Sequence, residues 1–364
     1  MRTHLRILVG LFGFLVFGGP ALLRSQNPAS HSVPEYLCQS MKGYDRAMCL
    51  HGGDGNPQGP LANRIPVIFI HGWNSKEVAG EPGLQVWSGL GSHLYYSPWF
   101  KDNYKMYFLL YWSNIQGWTL RDMGLTFRSL IEQIDRADPD FRGKPLILIG
   151  YSMGGLIARS YMQEFRPGSS GRNGDRVLRL ITLGTPHHGS PFANGPARDN
   201  KAGGVWLETM HLVIDGGLFG FDIRWDMDNR YDLHWDNYDG LFDYERFPEN
   251  SIWMEWLNSG DTFERKIVAY GGKVSQLGQI KDCALGAEGS ACFTAIMNGA
   301  LGISESDGFV PLKSALFDPC QDCLATHVFE DYDHNEIVRG KPRLFGETEP
   351  LFEGVANDLL SLVR

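Results

Sequence analysis

A short apolar run that leads directly into a glycine-bounded serine is the feature that most restricts this fold. Residues 145–149 are Pro-Leu-Ile-Leu-Ile, and Gly-Tyr-Ser-Met-Gly follows at 150–154. The run is typical of a buried strand, and residues 156–162 continue as a predicted helix. A strand that turns this sharply into a helix strains the serine backbone and leaves room only for glycine on either side. We therefore predict a nucleophile elbow that exposes the Ser152 hydroxyl. The alternative is a glycine-rich structural turn.

Further segments of the same kind extend this unit into a domain. Apolar runs predict buried strands, and they lie at residues 65–70, 106–112, 145–149, 177–183, 266–271 and 324–329. Helices are predicted between residues 118 and 134, where apolar residues fall on one face, and at 350–363. Strands that alternate with helices indicate an α/β fold with a mostly parallel, doubly wound sheet. Residues 61–364 are predicted to form this domain.

The regular alternation stops after residue 183 and resumes at residue 266. We interpret residues from about 187 to 261 as an inserted cap over the carboxyl ends of the strands, where open α/β sheets bind ligands. An inserted subdomain needs its own apolar core, which accounts for most of its tryptophans and leaves one or two to line a site. These are Trp206, Trp225, Trp235, Trp253 and Trp256.

The N-terminus has the layout of an export signal. A basic start, an uncharged apolar stretch at residues 7–19 and a polar exit predict a signal peptide over residues 1–25. The apolar stretch is shorter than the roughly 20 residues of a membrane span, which disfavours an uncleaved anchor. Residues 26–60 are predicted to be a surface segment pinned by Cys38 and Cys49. We expect a secreted or periplasmic protein.

The cysteine count fits that compartment. Six cysteines, an even number, favour disulfides in an exported chain, although six allow 15 pairings. We expect three local pairs in sequence order: Cys38 with Cys49, Cys283 with Cys292, and Cys320 with Cys323. The spacing of the last pair also resembles a redox motif or half of a zinc site.

A serine nucleophile needs a base, and the base needs an acid that holds it in the right tautomer. In this fold both follow the serine, the acid before the histidine. His334 lies in a loop after the last predicted strand and is the predicted base, whereas His327 lies inside that strand and is expected to be structural. Asp307 is the predicted acid. Asp331 and Asp333 compete for that role, but they are too close in sequence to His334 to reach its far ring nitrogen.

An oxyanion needs two preorganised donors. The backbone N–H of Met153, at the start of the helix, is the first candidate, and that of Trp73, in the loop after His71-Gly72, is the second. His71 ends a predicted buried strand. We interpret it as a structural residue that holds this loop by hydrogen bonds.

Five motifs together resemble the α/β-hydrolase superfamily and, within it, bacterial secreted lipases and related serine esterases. They lie at residues 69–73, 150–155, 183–190, 306–310 and 333–337. The resemblance implies hydrolysis of carboxylic esters through an acyl-enzyme, with Ser152, Asp307 and His334 as the triad. No cofactor is expected to be required. In some of these lipases a structural calcium ion steadies the histidine loop through a carboxylate, and Glu336 occupies a comparable place.

The expected substrate is a hydrophobic acyl ester, with transient contact to a lipid or polymer surface. A formal net charge of −9 and the lack of a basic run argue against a nucleic-acid partner. Three alternatives use the same fold: an acyltransferase, an extracellular polyester depolymerase and a non-catalytic binding module. An intact triad disfavours the last of these.

Overall fold

The computed structural model describes residues 36–41, 43–52, 59–73, 85–113, 117–190, 232–233, 252–260, 262–274, 303–318, 320, 322–341 and 348–363. The chain divides into Met1–His31 and Ser32–Arg364, and every described residue belongs to the second part. The predicted signal peptide, Cys283, Cys292 and most of the predicted cap lie outside the described residues.

The described residues form one eight-stranded sheet. Its strands are β1 Tyr36–Met41, β2 Tyr44–His51, β3 Ile65–Ile70, β4 Tyr104–Tyr111, β5 Leu146–Tyr151, β6 Val177–Leu183, β7 Ile267–Lys273 and β8 Ala325–Glu330. Their order across the sheet is β1-β2-β4-β3-β5-β6-β7-β8. The six strands from β3 to β8 are parallel to one another, and the β1–β2 and β2–β4 pairs are antiparallel. The prediction of a mostly parallel α/β sheet is confirmed.

Helices cover both faces of this sheet. They are α1 Leu90–Tyr96, α2 Pro98–Asn103, α3 Leu120–Ala137, α4 Met153–Gln163, α5 Ile252–Asn258, α6 Leu312–Ala315, α7 Glu336–Arg339 and α8 Pro350–Leu360, with 3₁₀ turns at Val86–Ser88, Asn173–Arg176 and Glu264–Lys266. None of these helices is long and apolar enough to cross a membrane.

The core lies in two layers because the central strands are buried on both sides. In β3, Ile68 and Ile70 pack with α3 and α4, whereas Val67 and Phe69 pack on the opposite face with α1, α2 and α8. Continuous apolar runs are the pattern expected of parallel strands covered on both faces. The six predicted core strands match β3 to β8 to within two residues at each end.

The segment before residue 60 contributes two strands to the sheet. The sequence pattern did not predict β1 and β2, which form a hairpin and extend the sheet through β4. Within this hairpin Cys38 and Cys49 are directly opposite and form a disulfide. Cys320 and Cys323 form a second disulfide. Two of the three predicted pairs are thus confirmed, and the third lies outside the described residues.

At the end of the predicted cap, α5 packs against the core. Trp253 and Trp256 are partly buried on it and contact the layer that contains α3 and α4. Their rings lie 6.5 Å apart, and the Arg121 guanidinium lies 5.4 Å from the Trp256 ring. These two tryptophans therefore contribute to packing, as most of the five were expected to. The other three lie outside the described residues.

Candidate active site

Ser152 lies in the turn between β5 and α4 with a strained backbone. Its φ is 52° and its ψ −129°, values that a residue with a side chain rarely adopts. The Ser152 N–H donates to the carbonyl of Leu183, at the end of the neighbouring strand, over 2.8 Å. A Cβ at Gly150 would lie 2.5 Å from the Cα of Gly155, and one at Gly154 would lie 2.1 Å from the carbonyl oxygen of Ile70. The turn thus has the predicted geometry, and its glycines are required by space.

Three of the predicted site residues meet at this turn. The Ser152 Oγ lies 2.9 Å from Nε2 of His334, and Nδ1 of His334 lies 2.7 Å from Oδ2 of Asp307. Asp307 is fully buried and His334 is 7% exposed. Because a carboxylate only accepts, Nδ1–H of His334 donates to Asp307, and Nε2 is left to accept from the serine hydroxyl.

The acid is fixed on its other side as well. Oδ1 of Asp307 accepts from the N–H groups of Phe309 and Val310 over 3.0 and 2.8 Å. The backbone N–H of His334 donates to the carbonyl of Asp307 over 2.9 Å. Backbone and side-chain bonds between the same two residues hold the imidazole in one orientation. The second Asp307 oxygen therefore points at His334 without further adjustment.

The competing residues have other partners. Oδ1 of Asp333 accepts from the N–H groups of Asn335 and Glu336, each over 2.8 Å, at the start of α7. His327 lies on β8 with its ring 4.6 Å from that of Tyr270 and its Nε2 3.8 Å from Asp358. The structure brings neither residue to Ser152.

The loop after β3 passes directly over the serine. A Cβ at Gly72 would lie 2.7 Å from the Ser152 Cβ, so Trp73 is the next residue along a loop that contacts the elbow. Met153 begins α4, where a backbone N–H has no acceptor within the helix. Both candidate oxyanion donors therefore belong to segments that border Ser152.

His71 holds the start of this loop. Its Nδ1–H donates to the carbonyl of Gly72 over 2.7 Å, and its Nε2 accepts from the N–H of Tyr111 over 3.2 Å. The His71 and Tyr111 rings stack at 4.1 Å, and the Tyr111 hydroxyl donates to the carbonyl of His71. Burial lowers the pKa of His71 to about 4, which keeps the ring neutral. The sequence pointed to His71 but gave no signal for Tyr111, an ordinary aromatic residue at a strand end.

Gly184 lies in the motif at residues 183–190, but the sequence assigned it no role. It follows β6 with φ +56°, and a Cβ there would lie 3.1 Å from both Oδ2 of Asp307 and Nδ1 of His334. The backbone therefore lies against the bond between acid and base. The available signals were its place in this motif and its position directly after a predicted strand.

Glu336, the candidate calcium ligand, is engaged locally. Its Oε2 accepts from the N–H of Asp333 over 2.9 Å, and burial raises the pKa of its carboxyl group. Within the part of the chain that the structure describes, no group of three or more His, Cys, Asp or Glu side chains is placed to hold a metal ion. The described surroundings of Glu336 do not fit a calcium site.

Comparison with known proteins agrees with the architecture. Residues 104–199 match the family model of a PGAP1-like alpha/beta domain, a span that contains β4 to β6 and Ser152 and ends before Asp307. The chain has the α/β-hydrolase fold. The resemblance to this superfamily inferred from the sequence motifs is confirmed. No curated protein sequence matches the chain.

Several solved structures are similar to this chain. The mature lipase BlEst2 of Bacillus licheniformis is 21% identical with a TM-score of 0.48, over 82% of this chain and 92% of that one. The Staphylococcus hyicus lipase is 16% identical with a TM-score of 0.43, over 83% and 96%. A thermophilic esterase from Thermogutta terrifontis is 12% identical with a TM-score of 0.42, over 91% and 99%.

Proposed function

We propose that this chain is an exported serine hydrolase that cleaves carboxylic esters, preferably those of hydrophobic acyl groups, through an acyl-enzyme on Ser152. The observation that supports it is the hydrogen-bonded row from Ser152 through His334 to the buried Asp307, with the serine on a strained elbow. A strained nucleophile, a base within hydrogen-bond reach and an acid that fixes its tautomer are the parts that acyl transfer requires.

In the first half of the reaction the Ser152 oxygen attacks the ester carbonyl carbon while Nε2 of His334 takes the hydroxyl proton. The imidazolium that forms is stabilised by Asp307, which keeps its negative charge. Collapse of the tetrahedral intermediate breaks the bond to the leaving alcohol. His334 then returns its proton to the alcohol oxygen, and the acyl group stays on Ser152.

Hydrolysis of the acyl-enzyme repeats these steps with water. His334 takes a proton from a water molecule as the water attacks the acyl carbonyl carbon, and then protonates Ser152 as the acid product leaves. The backbone N–H groups of Met153 and Trp73 are the proposed donors to the oxyanion in both halves. Preorganised backbone donors need no rearrangement when the charge develops.

Export is part of the proposal and rests on separate observations. The disulfides Cys38–Cys49 and Cys320–Cys323 favour an oxidising compartment, since disulfides are rare where thiols are kept reduced. The signal-like residues 1–25 favour the same compartment. Calcium is not needed for any proposed step.

The proposal is tested first by labelling with a fluorophosphonate, which reacts with an activated serine. We expect wild-type protein to be labelled on Ser152, and Ser152→Ala to lose both labelling and ester hydrolysis, with turnover falling by up to about a millionfold. Circular dichroism should show an unchanged fold because the hydroxyl is small. Hydrolysis by Ser152→Ala at close to the wild-type rate would rule out Ser152 as the nucleophile.

Two histidine variants provide the matched comparison. His334→Ala should be inactive. His327→Ala should keep wild-type turnover because His327 lies on β8 and its ring contacts that of Tyr270 on β7. The reverse result would reassign the base. Rates on p-nitrophenyl esters from acetate to palmitate, compared with an emulsified triglyceride, then test the preference for hydrophobic acyl groups.

A further inference from the structure

Arg159 is a buried cation that the proposed reaction does not use. It lies on α4, about two helical turns after Ser152, and is 1% exposed. Within the described residues no carboxylate lies within ion-pair distance of its guanidinium. Burial lowers the pKa of Arg159 to about 9, an effect that the charge of Glu264 partly opposes. A buried charge without a paired carboxylate is costly unless hydrogen bonds compensate it.

The guanidinium is instead shared among three segments of the chain. Nη1 donates to Nδ1 of His187 over 3.2 Å, and Nη2 donates to the carbonyl of Leu257 and to Oδ1 of Asn258, each over 2.9 Å. The centre of the guanidinium lies 4.1 Å from the Phe317 ring. Arg159 thus joins α4 to the segment after β6, to α5, and to residues 303–318, which contain Asp307.

These contacts fix the tautomer of His187. Because arginine can only donate, Nδ1 of His187 accepts, and its Nε2–H donates to Oγ1 of Thr182 over 3.1 Å. Burial and the charge of Arg159 lower the pKa of His187, so the ring is neutral. The neutral ring stacks on Phe317 at a centroid distance of 4.7 Å.

A second set of bonds runs from His187 to the segment that contains the acid. The N–H of His187 donates to the carbonyl of Ser314 over 3.2 Å, and the N–H of His188 donates to Oγ of Ser314 over 3.0 Å. Oγ of Ser314 in turn donates to the carbonyl of Gly189 over 2.8 Å. Arg159 therefore reaches the acid segment directly, at Phe317, and indirectly, through residues 187–189.

We propose that Arg159 is a positioning residue: it fastens residues 303–318 to α4 so that Asp307 and His334 align with Ser152. The inference rests on the proposed function, because its consequence is the rate of acyl transfer. Displacement of a triad member by about 1 Å can cost a hundredfold in rate. The helix that starts at the nucleophile and the segment that contains the acid share this buried contact group.

The test separates the rate of each active molecule from the number of active molecules. Fluorophosphonate titration counts reactive Ser152, and hydrolysis of a p-nitrophenyl ester then gives kcat per labelled site and KM. For Arg159→Met we expect kcat per site to fall by about tenfold to a hundredfold with little change in KM. Arg159→Lys keeps a cation near Phe317 and should recover part of the loss.

Gln163→Met is the matched control. Gln163 lies about one turn further along α4, is buried, and donates to the same Leu257 carbonyl over 2.6 Å. Its hydrogen bonds do not include the contacts through which Arg159 joins His187 and Phe317. We expect its kcat per site to be that of wild type even if its stability falls. If Arg159 had a purely structural role, Arg159→Met would behave like Gln163→Met. Fewer molecules would be active, and each active molecule would have the wild-type kcat.

Wild-type kcat per site in both Arg159→Met and Phe317→Leu would overturn the proposal. If Arg159→Met does not fold, Arg159→Lys and Phe317→Leu decide, since each must lower kcat per site. The proton resonance of the Nδ1–H of His334 provides a readout without substrate: it should broaden or shift in the Arg159 variants and stay in place in Gln163→Met. Wild-type protein that is neither labelled nor active would refute the proposed function instead, and the resonance would still test the alignment of Asp307 with His334.

Discussion

At the scale of single residues, the alignment of the site depends on small side chains as much as on the reacting ones. Gly184 lies against the hydrogen bond between Asp307 and His334, and its φ of +56° belongs to the left-handed region. No side chain fits there without displacing one of the two residues. The geometry of acid and base therefore depends partly on the lack of a side chain at Gly184.

Gly184→Ala should lower kcat by about tenfold to a hundredfold, since the new Cβ would lie 3.1 Å from both atoms of the acid–base bond. The left-handed backbone should also cost about 1–2 kcal/mol of stability. Kinetics per labelled site and urea denaturation measure the two effects.

Gly168→Ala is the control for the backbone term. Gly168 has φ +67°, and a Cβ there would have no heavy atom within 4 Å. It should lose a similar amount of stability and keep wild-type kcat. Equal kinetics in the two variants would show that the space at Gly184 has no effect on the chemistry.

The same scale shows which site residues the sequence could predict. Ser152 is predictable because its strained turn requires glycines on either side. His334 and Asp307 are predictable from their order after the predicted strands. Arg159 and Tyr111 have no such sequence signal. Their hydrogen bonds reach residues from 28 to 99 positions away, distances over which one sequence carries no pairing information.

At the scale of elements, the buried strands were predictable and the antiparallel hairpin was not. Strands β3 to β8 contain apolar runs that parallel packing requires, apart from the partly exposed β8. The hairpin β1–β2 lies between segments rich in glycine, proline and serine, and Gln39, Ser40 and Arg46 interrupt its apolar pattern. Its pairing depends on β4, a neighbour that the local pattern does not reveal.

The hairpin disulfide gives a prediction at this scale. Replacing both Cys38 and Cys49 by alanine should cost about 2–3 kcal/mol of stability, because the bond closes a loop across an 11-residue separation. Since β4 and β3 lie between the hairpin and β5, kcat should not change. Urea denaturation of the purified variant measures the loss.

The matched variant replaces Cys320 and Cys323, which are separated by three residues. Chain entropy predicts a smaller cost, about 2 kcal/mol, for so short a loop. A larger loss here than in the hairpin variant would contradict the entropic account. A fall in kcat for the hairpin variant would contradict its independence from the site.

At the scale of the whole molecule, several histidines are buried in the folded core as neutral rings. Burial lowers the pKa of His71 and of His188 to about 4, and it lowers the pKa of His187 well below its ordinary value. The charge of Arg159 adds to the effect at His187 and His188. Each of these rings is neutral in the folded chain and takes up a proton on unfolding below its ordinary pKa of about 6.5.

These histidines predict that acid destabilises the protein well before most carboxylates titrate. Their folded pKa lies below the unfolded one, so their contribution to stability is complete above about pH 6.5 and is lost progressively as the pH falls from there to the folded value. For a pKa of about 4, each ring should cost about 2 kcal/mol of stability between pH 7 and pH 5. Urea midpoints across this range should fall steeply. His188→Gln should flatten the fall because it removes one of the rings whose pKa burial lowers. A urea midpoint independent of pH from 7 to 5 would show that these rings are already protonated, or have access to water, in the folded protein.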